Sequence, residues 1–412
     1  MHNITAASLL VFALFVLSAM SLRALLTKTT VPPLVGFLLL GVLASALDGR
    51  YEFLTGGTRT VMSFLEQLGV AVILFRVGLE SNLRGLLAQL QRASYVWVVN
   101  VGIAMAGGYL VARYGLGWDL VASLYVMVAF AATSVGITVA VWQQEDKLRT
   151  EAGELLVDVA ELDDISSVIF MVILFGLTPA LTATAGGSVG TAGAAGSAAV
   201  DLALLWQEAW PLLLSLAAFL AGAAVFSMFI EKPVTSFFRS MERAPSFMIT
   251  VLALGLIIAS LAGIVGFSLA IGAFFAGLIF SRDPQAVHVD ARFEDLYELF
   301  APFFFIGLGL AIEIEALVPA LGAGLLLTLV AVVSKVVGAG LPVLGFRPWR
   351  EALAVGLSMA ARAEIAMLVM QRGQAEGLIP AEVYGAMIVV VILTASLAPL
   401  AARPLIRAVS RE

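Results

Sequence analysis

Cysteine is absent from the 412-residue chain, and histidine occurs only as His2 and His288. Without thiols there are no disulfides, no thiol chemistry and no cysteine-ligated metal. Charge is also scarce, because Asp, Glu, Lys and Arg make up 13% of residues, where a soluble domain carries roughly a quarter. The formal net charge of -6 argues against a nucleic-acid partner, which selects for basic patches. A basic n-region is missing before the first apolar run, which opens Met-His-Asn-Ile-Thr and is followed by Arg23 and Lys28. That pattern suits an uncleaved first span better than a signal peptide.

What the chain does have is apolar sequence: 61% of residues and a mean hydropathy of +1.03, the signature of a polytopic membrane protein. At about 20 apolar residues per span, the sequence predicts thirteen helices. They fall near 5–25, 31–47, 61–79, 93–113, 118–142, 153–178, 207–231, 246–264, 266–281, 293–316, 317–341, 350–371 and 381–405. Lys and Arg test this count, since cytoplasmic loops concentrate them. Sixteen lie in loops after odd-numbered helices and four, Arg50, Arg59, Arg113 and Arg372, in loops after even ones. The N-terminus is therefore expected outside and the C-terminus in the cytoplasm. Three basic residues remain inside spans, Arg76, Lys335 and Arg362, and each needs a partner. The Gly, Ala, Ser and Thr-rich segment 179–206 reads as an external linker.

Leu65 to Leu79 resembles Leu296 to Leu310 at an offset of 231 residues, with Gly78 meeting Gly309. An odd number of spans between equivalents makes this an inverted repeat, with helix seven as connector.

Four stretches carry candidate chemistry. In helix five, Ala-Thr133-Ser134-Val-Gly-Ile-Thr138 permits a local break that frees carbonyls and hydroxyls for a small cation, or else simply lets helices pack closely. In helix twelve, Arg362 and Glu364 stand two apart and so face different ways, which fits a distorted backbone, an ion pair between helices or direct ion binding. Helix eleven holds Lys335, whose candidate partners are Asp163 and Asp164. Helix six begins with Glu154, Asp158 and Glu161 on one stripe, either an acidic funnel or a solvated helix end. It then places Asp163 and Asp164 about 15 Å deep at ~1.5 Å per residue. Carboxylates at that depth point to an ion or proton site. Glu66 and Arg76 in helix three read as structurally paired with other groups.

Phe64 to Glu80, Ala-Thr-Ser-Val-Gly-Ile-Thr at 132–138, Asp163-Asp164, Gly272-Ala-Phe-Phe-Ala-Gly277, Ala301-Pro-Phe-Phe-Phe and Lys335 together resemble the second family of monovalent cation:proton antiporters, in particular the NapA-like sodium/proton antiporters. The resemblance covers nearly the whole chain. It implies an all-α inverted-repeat fold with two crossing broken helices, five and twelve. The implied division is a dimerisation domain (1–81 and 246–316), a core ion-transport domain (82–178 and 317–412) and a connecting loop with helix seven (179–245). It further implies a homodimer in the bacterial inner membrane that exchanges Na+, or Li+ or K+, for protons without enzymatic activity or a cofactor. Asp164 would be the chief cation and proton carrier, with Thr133 and Ser134 supplying oxygen. Asp163 would pair with Lys335, Arg362 and Glu364 would be charge partners, and Glu161 and Asp158 would lie on a proton path. A potassium efflux system of the Kef type is the alternative on the same scaffold. Ala361-Arg362-Ala363-Glu364 replaces the family's Pro-Arg-Gly-Glu, so a mild break is expected in helix twelve. Phe37 replaces a tyrosine, and Arg76 and Glu161 add charges where relatives are commonly neutral.

Overall fold

The computed structural model describes residues 6–29, 31–80, 83–184, 247–264, 269–280, 291–312 and 314–409, with five single positions between 210 and 233. Helix seven (207–231), the linker from residue 185 onward and His288 lie outside the described run. Among the described residues the chain is helical, without strands. Seven helices are long and apolar enough to cross a membrane, and two shorter apolar helices accompany them.

The helices are α1 (Ala6–Leu26), α2 (Pro33–Tyr51), α3 (Gly56–Glu80), α4 (Leu83–Leu110), α5 (Leu120–Ala131), α6 (Val135–Gln144) and α7 (Glu151–Thr184). They continue as α8 (Phe247–Ile264), α9 (Leu269–Phe280), α10 (Ala291–Leu310), α11 (Ile314–Lys335), α12 (Leu341–Leu344), α13 (Trp349–Ser358), α14 (Glu364–Ala375) and α15 (Ala381–Arg407). Where these exceed the predicted spans, the cause is that hydropathy sees only the membrane-embedded part of a helix. The α4 helix starts at Leu83, ten residues before its apolar run, because Leu83–Gln91 is rich in Leu, Ala, Gln and Arg, all strong helix formers. Both α4 and α11 run on into π turns, Val111–Gly115 and Val336–Gly340.

The chain divides into two units. The first comprises Met1–Arg23, Gly36–Leu83 and Trp210–Ala311. In it α3 packs along α9 and α10, and Phe75 meets Phe280 and Phe293 with ring centroids 6.2 and 6.1 Å apart. Gly78 lies against Gly277 so closely that a Cβ on either would strike the other helix's backbone, and Gly309 meets Gly41 in the same way. Small residues let membrane helices approach to this distance, where dispersion contacts replace the missing hydrophobic drive. Arg76, expected to be paired, donates to Glu294 at 3.0 Å and lies 4.3 Å from the Tyr297 ring, while Arg23 pairs with Glu298.

The second unit comprises Ala24–Val35, Arg84–Ala209 and Ile312–Glu412. Its core gathers Trp142, Leu156, Val159, Met359 and Ile406. Asp119 begins α5 as an N-cap, its Oδ1 accepting from Ala122 N at 2.8 Å, which satisfies one of the orphan amides of the first turn. At one end of the unit Glu145, only 11% exposed, accepts from Arg403 and from Arg407 Nε at 2.8 Å. Beside it Lys147 Nζ donates to Val409 O at 2.5 Å. These contacts tie the loop after α6 to the end of α15.

The hydrogen bond from Arg407, joined by Arg403, holds the Glu145 carboxyl below the usual carboxylate range. A carboxyl lowered on folding contributes stability above its unfolded value and loses that contribution as pH falls through the folded one. Glu145→Gln is therefore expected to melt a few degrees lower at pH 7, since each pair, with its arginine partly open to solvent, is worth about 0–1 kcal/mol. The gap from wild type should close below about pH 4. Melting curves at the two pH values check this, and an unchanged gap in acid would show that the ion pairs are not its source.

Candidate functional site

The site is built where two helices break. Helix α5 ends at Ala131, Ala132 is extended (φ -63°, ψ 145°), and α6 begins after Ser134 (φ -82°, ψ 101°). No proline or glycine occupies this break. Thr133 and Ser134 carry hydroxyls that compete for backbone hydrogen bonds and so tolerate an interrupted helix. The second break separates α13 from α14, with Ala363 at φ -155°, ψ -113°.

The two breaks are joined directly: Ser134 N donates to Ala361 O at 2.8 Å. Thr138 Oγ1 donates to Ser358 O at 3.0 Å, and Trp142 Nε1 to Ser358 Oγ at 2.9 Å. The expected mild break in helix twelve is in fact a full interruption from Met359 to Ala363. The missing proline and glycine matter little, because contacts from α5, α6 and α15 hold the backbone open. Among them is the bond from Arg362 N to Thr394 Oγ1 at 3.3 Å.

Breaking α5 leaves its last carbonyls without amide donors. The sequence suggested that these carbonyls could ligate a cation, but the structure occupies them otherwise. Arg362 Nη1 donates to Phe130 O at 2.7 Å and Ala132 O at 2.5 Å, with Ala129 O at 3.4 Å, and its Cζ lies 4.6 Å from the Phe130 ring. Lys335 Nζ reaches Ala131 O at 3.1 Å. Two buried cations thus serve as a C-cap, where the helix dipole favours positive charge. Arg362, a candidate ion-pair or ion-binding residue on sequence, makes its side-chain hydrogen bonds here to carbonyls and lies over a ring face.

Lys335 and Asp163 form the central ion pair, Nζ to Oδ2 at 2.6 Å with both side chains 0% exposed. Asp163 accepts further bonds from Thr133 Oγ1 at 2.7 Å and from Asn100 Nδ2 at 2.8 and 3.0 Å. Burying two charges is tolerable only with such complete hydrogen bonding. Asn100 was missed by sequence reading, although a lone amide in the apolar run Tyr95–Val101 was the available signal.

Asp164, the next residue on α7, points elsewhere. Its side chain is buried, and Oδ1 has no hydrogen-bond partner among the described residues. The charges that reach it are Glu364, Asp163 and Glu161, with Lys335 of opposite sign. Thr133 and Ser134 are both buried, and Ser134 Oγ lies 3.4 Å from Glu364 Oε2. Glu161 and Asp158 are half-buried while Glu154 is exposed, a graded line of acids along α7. The structure thus gathers Asp163, Asp164, Thr133, Ser134, Lys335, Arg362 and Glu364 in one unit. Arg76 and Glu66 belong to the other unit.

Comparison with known proteins identifies the family and the fold. A family described as sodium/hydrogen exchanger, transmembrane, matches residues 11–408. The high-affinity Na(+)/H(+) antiporter NhaS3 of Synechocystis sp. is 28% identical over 356 residues, covering 85% of this chain and 71% of that one. A Na(+)/H(+) antiporter of Enterococcus hirae is 28% identical over 375 residues, 90% of each. In three dimensions the sodium proton antiporter MjNhaP1 from Methanocaldococcus jannaschii superposes with a TM-score of 0.68 over 97% of both chains, at 16% identity. A match that runs almost end to end, on a chain whose two interrupted helices meet beside buried carboxylates, places this multi-pass membrane protein in the sodium/hydrogen exchanger family.

Proposed function

We propose that the protein is a secondary antiporter exchanging a monovalent cation, Na+ foremost, for protons. The observation that carries this reading is Asp164: a buried carboxylate with an unpartnered oxygen, set beside an ion pair and two interrupted helices. In the membrane interior such a group is costly unless it binds something. A desolvated cation and a proton are the two species small enough to do so, and they compete for the same oxygens. Loading one expels the other, and alternating access to the two sides of the membrane turns that competition into exchange. The Thr133 and Ser134 hydroxyls would supply the neutral oxygens of the cation shell. Glu161 and Asp158 form the proton path toward the α7 entrance.

The reading includes the inverted repeat. It is supported by the paired glycine approaches Gly78 with Gly277 and Gly309 with Gly41, and by the matching π turns after α4 and α11. It also includes thirteen spans with the N-terminus outside, residence in the bacterial inner membrane, a homodimer formed through the first unit, and ion transport by the second.

The exchange is read as electrogenic: with two protons moved for each cation, one net charge crosses and 100 mV contributes about 2.3 kcal/mol per turnover. Proteoliposomes test this directly. Added Na+ is expected to drive proton movement across the membrane and to generate a potential, with Li+ and K+ as comparison ions. Cation flux without proton movement would favour the channel reading and overturn exchange, and exchange with no potential would overturn the electrogenic form.

A further inference from the structure

Asn100 is the group at the centre of the site that the exchange reading does not use. Its side chain is 0% exposed, and its Nδ2 donates to both oxygens of Asp163, at 3.0 and 2.8 Å. The residue is also fixed from behind. A Cβ on Gly338 would stand 2.8 Å from the Asn100 Cα, so the α4 backbone is seated against the π turn that begins one residue after Lys335. Single π turns inside helices recur at functional positions. Lys335 and Asn100 thus hold one carboxylate from two helices that touch backbone to backbone.

From this geometry we infer that Asn100 is a positioning residue for ion exchange, a neutral donor that keeps Asp163 oriented and ionised when the Lys335 ammonium gives it up. The inference rests on the exchange reading above and deepens it. When the cation loads beside Asp164, the attraction of an ionised Asp163 is useful only if that carboxylate can let go of Lys335. Two amide contacts make release tolerable, because an ionised carboxylate stripped of donors in a dry interior is strongly disfavoured. The Oδ1 of the same amide has no hydrogen-bond partner among the described residues, so the group's hydrogen-bonding role there is that of a donor to Asp163.

The test is Asn100→Leu, which keeps the volume and deletes the donor, in reconstituted full-length protein. Hydrogen bonds to charged groups are worth enough to predict a rise of about tenfold or more in half-saturating Na+, with maximal rate changed less than about threefold. A role in packing alone would lower rate and thermal stability together and leave Na+ affinity unmoved, which overturns the inference. A second readout needs no turnover: the rise in melting temperature with Na+ reports affinity directly. In the Lys335→Gln background, where Asn100 and Thr133 are the donors that remain on Asp163, the same substitution should weaken this stabilisation by a larger factor than in wild type. Equal factors in both backgrounds mean that the two donors act independently on Na+ binding, which overturns the inference. Should Asn100→Leu fail to fold, Asn100→Ser is read in the same two assays, with unaltered Na+ dependence refuting the role. Wild type separates the two levels of argument, since absence of exchange there sinks the antiporter reading, whereas exchange with an unaltered Asn100→Leu sinks only the positioning role.

Discussion

Asp164→Asn is expected to reduce cation-driven proton exchange to the background of empty vesicles. The substitution keeps the shape and most of the polarity of the side chain but removes the charge and the titratable oxygen, which are the two properties exchange requires. A unit charge about 4 Å from a cation is worth roughly 4 kcal/mol at an effective dielectric near 20. Its loss lowers cation affinity by about a thousandfold. Millimolar Na+ then no longer fills the site, and no proton remains to be displaced there. Asp164 Oδ1 has no protein partner among the described residues, so the variant breaks no hydrogen bond through that atom and should fold. Na+ should consequently fail to raise its melting temperature, whereas wild type gains in proportion to the logarithm of Na+ concentration. Asp164→Glu, which restores charge at a shifted position, is expected to recover part of the activity. Full exchange by Asp164→Asn in proteoliposomes would remove Asp164 from the mechanism.

The ease with which parts of this site could be read from sequence depended on how far each residue's environment is set by its own helix. Asp163, Asp164 and Lys335 were conspicuous because a charge inside an apolar run is costly wherever the fold puts it; the shortage of other partners narrowed Lys335 to Asp163 or Asp164, and only the family resemblance singled out Asp163. The break in α5 was legible as a hydroxyl-rich interruption. What it exposes was not, since the carbonyls of residues 129–132 are claimed by Arg362 and Lys335 from elements more than 200 residues away. The carbonyl cap made by Arg362 was not legible for that reason: a sequence shows the carboxylates that an arginine could pair with, but every residue has a carbonyl, so a carbonyl cap leaves no mark in composition. Asn100 was overlooked because a lone amide carries no charge and costs less to bury. Arg76 shows the opposite case. Its placement in a span drew attention, and it proved to pair with Glu294, a structural arrangement.

The role found for Arg362 leads to the second large effect. Arg362→Met preserves length and apolar packing while deleting a fully buried guanidinium whose Nη1 contacts three carbonyls and whose plane lies over Phe130. Each carbonyl left unsatisfied in a dry interior costs about 1–3 kcal/mol. Losing the contacts to Phe130 and Ala132 alone should therefore destabilise the second unit by several kcal/mol and close or distort the α5 break. Lys335 already holds Ala131 O and Asp163, so at most one of its three N–H donors is left for the two carbonyls uncovered. Arg362→Lys keeps the charge near the helix C-terminus but replaces a planar fork with a single ammonium, so it should fall between the two. The expected order of melting temperature, and of exchange rate, is wild type, then Lys, then Met. Because Thr133 lies one residue beyond the capped carbonyls and donates to Asp163, loss of the cap should also weaken Na+ binding in whatever fraction remains folded. A Met variant that matched wild type in both measurements would mean that water can cap α5 as well as arginine does, and that the buried cation serves some other end.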